Sequence, residues 1–189
     1  MKGITLVVVL FIIASAMAGC ITTKEGISSG TLEVRVGDVP SKNFSFVNIT
    51  FSQIKVHRSG NDSGWTNISF EERTVDLLTL HRNNITETIG MDNVSEGDYD
   101  KIWIVISKAT GVLSETGENV TFDVPSGDLK IQHFIDVKAG KKTTVTVDID
   151  AGRSILAVGH IYKLLPVISF VEVEHPDGSK TKDTNPASG

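Results

Sequence analysis

The chain has 189 residues, 18 lysines and arginines against 23 aspartates and glutamates, and a formal net charge of −5. That length suits a single domain, and an acidic balance without a basic stripe excludes nucleic acid as a natural partner. The only cysteine, Cys20, leaves the rest of the chain without a disulfide, thiol catalysis or a cysteine metal site.

Lys2 and the free amino terminus precede an apolar run from Ile4 to Ala18, broken by Thr5 and Ser15, and Met17-Ala18-Gly19-Cys20 closes it. A positive flank, a short apolar core and small residues make a secretion signal, and about 15 apolar residues fall short of the roughly 20 that span a bilayer. Residues 1–19 are therefore expected to be a signal peptide whose cleavage leaves the Cys20 thiol to carry a lipid. Two other readings stand: ordinary cleavage at Ala16-Met17-Ala18, which gives a secreted protein, and retention as one N-terminal span. Lipidation puts the domain on the outer face of the cell membrane. Contact with that membrane then runs through the anchor, because an acidic surface does not attract anionic lipid. Residues 20–29 read as the lipidated cysteine and a polar spacer.

From there the pattern is nearly all strand. Thr31 to Val36 alternates with Leu32, Val34 and Val36 on one side, and Phe46 to Val56 continues through Val47, Ile49 and Phe51 before shifting parity to Ile54 and Val56. A bulge near Ser52-Gln53 accounts for that shift. Ser59 to Gly64 is a turn, Trp65 to Phe70 a strand, and Arg73 to Leu80 a strand or a helical turn. Lys101 to Lys108 is the strongest strand, apolar on both faces and so central. Asn119–Val124 and Leu129–Val137 flank Pro125-Ser-Gly-Asp128, which reads as a hairpin turn. Lys142 to Ile149 puts Val145, Val147 and Ile149 in the core. Ser154–Gly159 and Ile161–Val173 complete the set, with Pro166 at a strand start, edge or bulge. Residues 175–189 are Pro, Gly, Asp and Lys rich, and read as a disordered tail.

Short strands with frequent turns and no long amphipathic helix call for two sheets whose apolar faces cover each other. The expected fold of residues 30–174 is an all-β, antiparallel Greek-key sandwich. Tyr99, just ahead of the strongest strand, suits a corner between sheets, its ring in the core and its hydroxyl bonded to backbone.

Seven of the nine asparagines lie in Asn-x-Ser/Thr sequons: Asn43, Asn48, Asn61, Asn67, Asn84, Asn93 and Asn119. Chance gives about one, so glycosylation of an exported surface is expected. Together with a lipoprotein-type signal, this fits an archaeal envelope better than a bacterial one.

Several phrases in order carry a resemblance: Gly30-Thr-Leu-Glu-Val-Arg-Val-Gly-Asp38, Ile54-Lys-Val-His57, Val75-Asp-Leu-Leu78, Glu96-Gly-Asp-Tyr99, Val124-Pro-Ser-Gly127 and Leu164-Leu-Pro-Val-Ile168. Over roughly Ser29 to Val173 the chain resembles the domain-of-unknown-function 4382 family (DUF4382) of exported archaeal and bacterial proteins, many of them lipoproteins. The resemblance implies a transthyretin-like or immunoglobulin-like sandwich in the envelope, and no catalytic residues.

Signals for chemistry are weak. The histidines, His57, His81, His133, His160 and His175, show no metal-binding spacing, although His57 and His133 end or punctuate strands that can meet. Asp98 with Asp100, and Asp148 with Asp150, sit at i and i+2. Either pair offers two carboxylates to calcium, which needs six to eight oxygens; solvated acids near sheet edges are the simpler reading. No nucleophile elbow, phosphate loop or His-Glu-x-x-His pair occurs. Trp65 and Trp103 are the only tryptophans, so the sequence shows no aromatic cluster for a sugar. The expected function is a non-catalytic, lipid-anchored surface domain for adhesion, envelope structure or protein binding, without catalytic, metal or cofactor residues. The alternatives are a carbohydrate- or peptide-binding module using loops Ser59–Gly64, Lys108–Glu118 and Ala151–Arg153 at one sheet end, and a hydrolase using Glu71, Glu72 or Asp76.

Overall fold

The structure, a computed structural model, describes residues 28–39 and 41–184. The signal segment, Cys20 and most of the spacer lie outside the described residues. The elements are β1 (Ser29–Val39), β2 (Phe44–Arg58), β3 (Gly64–Ile68), β4 (Arg73–Asp76), α1 (Leu77–Asn83), β5 (Glu87–Ser95), β6 (Gly97–Leu113), β7 (Asn119–Asp123) and β8 (Asp128–Val137). They continue as β9 (Lys142–Asp150), the single helical turn α2 (Ala151–Ser154), β10 (Ile155–Val158), β11 (Ile161–Leu164), β12 (Ile168–Glu174) and β13 (Lys180–Asp183).

These strands form an all-β sandwich. One sheet has the order β13-β12-β9-β1-β5; the other runs β10-β11-β7-β6-β2-β3, with β4 on β2 and β8 on β6. The alternation read from sequence supplies the core. Leu32, Val34, Val36, Val145, Val147, Val171 and Val173 of the first sheet, and Ile49, Ile54, Val56, Ile102, Ile104 and Ile131 of the second, are all buried. The parity change in β2 coincides with register shifts against β6 at Thr50/Phe51 and Phe51/Gln53. β6 is central, as its two apolar faces require, and Pro166 falls between β11 and β12.

The ambiguous stretch after Arg73 is both alternatives in turn. Asp76 ends β4 and caps α1, accepting from Leu78 N at 3.3 Å, while its other contacts reach Val47 N, Thr79 and Arg82. Asn84 closes the helix in the left-handed region at φ 51°, bonding the His81 carbonyl.

Three expectations are corrected. The sheets are mixed: β1 runs parallel to β9, and β11 parallel to β7. The first strand is inserted between two that come much later, so its direction follows from a crossover and not from a hairpin. Next, β7 and β8 do not pair as a hairpin. Both lie along the same edge of β6, β7 against residues 110–112 and β8 against 97–105. The Pro125-Ser-Gly-Asp128 turn bridges the gap, with Ile106 N donating to Gly127 O at 2.8 Å. Finally, the tail is ordered at least to Asp183. His175 to Lys180 turns through Gly178 at φ 84°, and β13 pairs with β12. Its composition lacks apolar residues because ladder bonds and ion pairs hold it instead, Lys180 Nζ lying 3.0 Å from Glu172 and 3.4 Å from Glu174.

Candidate functional site

The outer face of the second sheet carries a cluster invisible in a linear reading. β3 is its edge strand, and Trp65 lies directly opposite His57 of β2; His57 lies opposite Lys101 of β6, and Lys101 opposite Gln132 of β8. The neighbouring row is Asn67, Lys55, Trp103 and Lys130. All of these alternate with core residues, so they project from the same face. Trp65 and Trp103 sit on the diagonal of this lattice. Their ring centroids are 4.6 Å apart at an interplanar angle of 41°.

Around the two indoles the other side chains are held in place. The His57 ring lies 5.0 Å from Trp65, and its Nδ1 is 2.7 Å from the Asp100 carboxylate. Asp100 is the extra residue of β6 where the register against β2 shifts, and the bulge is what turns its side chain toward His57. Lys130 Nζ stands 5.2 Å from the Trp103 ring centroid. Trp65, Lys101, Trp103, Lys130, Ile131 and Gln132 line an open groove of about 300 Å³, and Trp65 keeps 42% of its surface exposed. Two adjacent indoles with amines and amides at the rim make a binding surface for a flat, polar-edged ligand.

The argument that two tryptophans make no sugar platform is therefore corrected: the sheet brings the pair together. A signal was present. Trp103 lies off the core face of the central strand, and the short Ser59–Gly64 turn folds Trp65 back onto β2, the strand next to β6.

The other candidates disperse. Asp100 is committed to His57, and Asp98 is exposed. Asp148 and Asp150 are not solvated acids, since each is only 7% exposed. Asp150 accepts from Arg153 N at 2.8 Å and Arg153 Nε at 2.6 Å. Burial pushes the Asp148 carboxyl above its usual range; Lys182 and His81 oppose this, and the Asp150 charge adds to it. His133 bonds the Phe134 carbonyl. His175 lies between Asp136 and Thr181. No group of three or more His, Cys, Asp or Glu side chains converges as for a metal among the described residues. Asp76 is spent on its cap, Glu72 accepts from Ser107 Oγ at 3.1 Å, and Glu71 is exposed. The three proposed ligand loops do not share a sheet end. Ser59 bonds Asp98 where β6 begins, whereas residues 114–118 follow the end of β6, and Ala151–Arg153 lies at that far end.

Of the sequon asparagines, Asn43, Asn61, Asn67, Asn84, Asn93 and Asn119 are exposed and Asn48 is partly so. Asn67 lies in the same cross-strand row as Trp103, two strands away.

The family model described as a domain of unknown function, DUF4382, matches residues 29–166. The chain belongs to the DUF4382 family. The match spans the sandwich from β1 through β11, so the tryptophan groove lies wholly within the family domain. No curated protein and no solved structure matches this DUF4382 chain.

Proposed function

We propose that the chain is a lipid-anchored, non-catalytic carbohydrate-binding module of the outer cell surface. The observation that carries the reading is the Trp65–Trp103 pair on an open sheet face. An indole face is electron-rich and meets the weakly positive C–H face of a pyranose, while neighbouring amines and amides bond its hydroxyls. Tryptophans so placed supply a large share of binding energy for little lost side-chain entropy. The signal, Cys20 and the sequons support the location.

The test is a glycan array probed with the purified protein and with Trp65→Ala and Trp103→Ala. Specific binding that falls at least tenfold in both variants, with unchanged melting, supports the reading. Blank arrays, or binding indifferent to both changes, would sink it.

Adhesion through protein contact has one observation of its own. At the sheet end opposite Ser29, the β10–β11 hairpin exposes Leu156, Val158 and Ile161 at 51%, 50% and 57%, with β10 an open edge. Sedimentation should then show self-association that Val158→Lys abolishes; a monomer at all concentrations counts against it.

A further inference from the structure

We infer that the tryptophan groove takes an acidic carbohydrate, one bearing carboxylate or sulfate groups; this rests on the reading of the groove as a sugar site. The evidence is the charge around the indoles. In a chain of net charge −5, the face around Trp65 and Trp103 presents Lys55, Lys101 and Lys130. The acids nearby are partly spent. Asp100 is bonded to His57, and Asp128 stands 4.0 Å from Lys130.

Lys55 and Lys101 have no carboxylate within 4.0 Å among the described residues, whereas Lys142 and Lys180 elsewhere in the sandwich are ion-paired. Two unpaired ammonium groups on adjacent central strands repel each other. Such an arrangement costs stability on a sheet face, and an anion placed between them relieves it. Their spacing is set by the lattice. Lys55 lies opposite Trp103, and Lys101 lines the groove beside it, so an acid group on a sugar stacked over the indoles sits within reach of both amines. Charge-assisted hydrogen bonds are about twice as strong as neutral ones and select for the charged ligand. Lys130, held over the Trp103 ring, adds a third donor at the groove's other wall.

The test is affinity electrophoresis of the intact purified protein through gels containing polygalacturonate, alginate or chondroitin sulfate, alongside dextran, galactan and mannan. The variants are Lys101→Gln, Lys55→Gln, Trp65→Ala and the control Lys141→Gln, which lies in a turn of the other sheet; each is checked for unchanged melting. At least one acidic polymer should retard the wild type at least tenfold more strongly than any neutral one. Lys101→Gln and Lys55→Gln should each weaken that retardation about fivefold, Trp65→Ala should remove it, and Lys141→Gln should leave it intact. Equal retardation by neutral polymers, unaffected by the lysine changes, overturns the acidic preference and leaves the sugar site standing. Retardation by acidic polymers that survives Trp65→Ala is plain ion exchange and overturns it too. No retardation by any polymer removes the sugar site and the preference together.

Discussion

The hydroxyl of Tyr99 donates to the carbonyl of Ser95 at 2.8 Å, while its ring is 1% exposed in the core. Burial pushes the phenol above its usual range, against the pull of nearby Arg58, so it stays a neutral donor. The bond spans the turn at Glu96-Gly97 between the two sheets, where Gly97 adopts φ 146° and Arg58 Nη2 donates to Glu96 O at 2.7 Å. Tyr99→Phe keeps the ring and strands the Ser95 carbonyl. The expected loss is about 1–2 kcal/mol in a urea titration; an unaltered midpoint would show that the bond does not hold the corner.

Glu33 gives a prediction in pH. Burial alone would raise its carboxyl, but hydrogen bonds from Thr88, Lys142 and Arg35, with the Arg35 charge, bring it down from 4.5 to about 2. The folded state thus binds fewer protons than the unfolded state between those values. The stabilisation is complete above the unfolded value and is lost as pH falls toward the folded one. Glu33→Gln should cost on the order of 2 kcal/mol near neutrality, given its half-exposed cationic partners. The gap between variant and wild type should close by about pH 2. A gap that stays constant with pH would contradict the assignment.

Gly30 is a test of close packing. A Cβ there would meet Val137 Cγ1 at 2.8 Å, Lys141 O at 3.0 Å and the Lys138 carbonyl closer still. Two of these obstacles are backbone and cannot rotate away. Gly30→Ala should therefore cost about 1–3 kcal/mol, read as a melting point lower by about 2–4 °C per kcal/mol. A melting point equal to wild type would mean that the turn before β9 yields freely.

The C-terminal hairpin predicts its own contribution. Ending the chain after Glu174 removes β13, the contact of His175 with Asp136 and the Lys180 ion pairs, and bares the edge of β12. Thermal melting should fall by several degrees, and light scattering on heating should rise as the new edge pairs between molecules. Identical melting and scattering would mark the hairpin as an ornament.

How much of this was legible follows from where each signal resides. Strand positions, the β2 bulge and the Tyr99 corner depend on neighbours within a few residues, and alternation reveals them. Around Leu77, Leu78 and Leu80 the apolar spacing fits a strand and a helical turn alike, so Arg73 to Leu80 stays open until Asp76 and Asn84 are seen to cap the helix. Pairing is different. Nothing local distinguishes β7 and β8 as a hairpin from β7 and β8 laid end to end on β6, because both bury Phe122, Leu129 and Ile131. The tryptophan groove was hidden for the same reason: its rows draw one residue from each of four strands, and only the register sets Trp65 beside Trp103. The burial of Asp148 and the order of β13 also depend on distant partners.

The placement of β1 bears on how the protein comes to be folded. This first strand lies inside its sheet between β5 and β9, and Lys142 of β9, which pairs with Glu33, lies 109 positions further along the chain. A chain that emerges amino end first cannot complete that sheet until most of it has been delivered. β5 can close one edge of β1 about midway along the chain, but the edge that β9 takes stays open until then. Such distant closure makes for slow folding and a long interval in which the strand can pair wrongly.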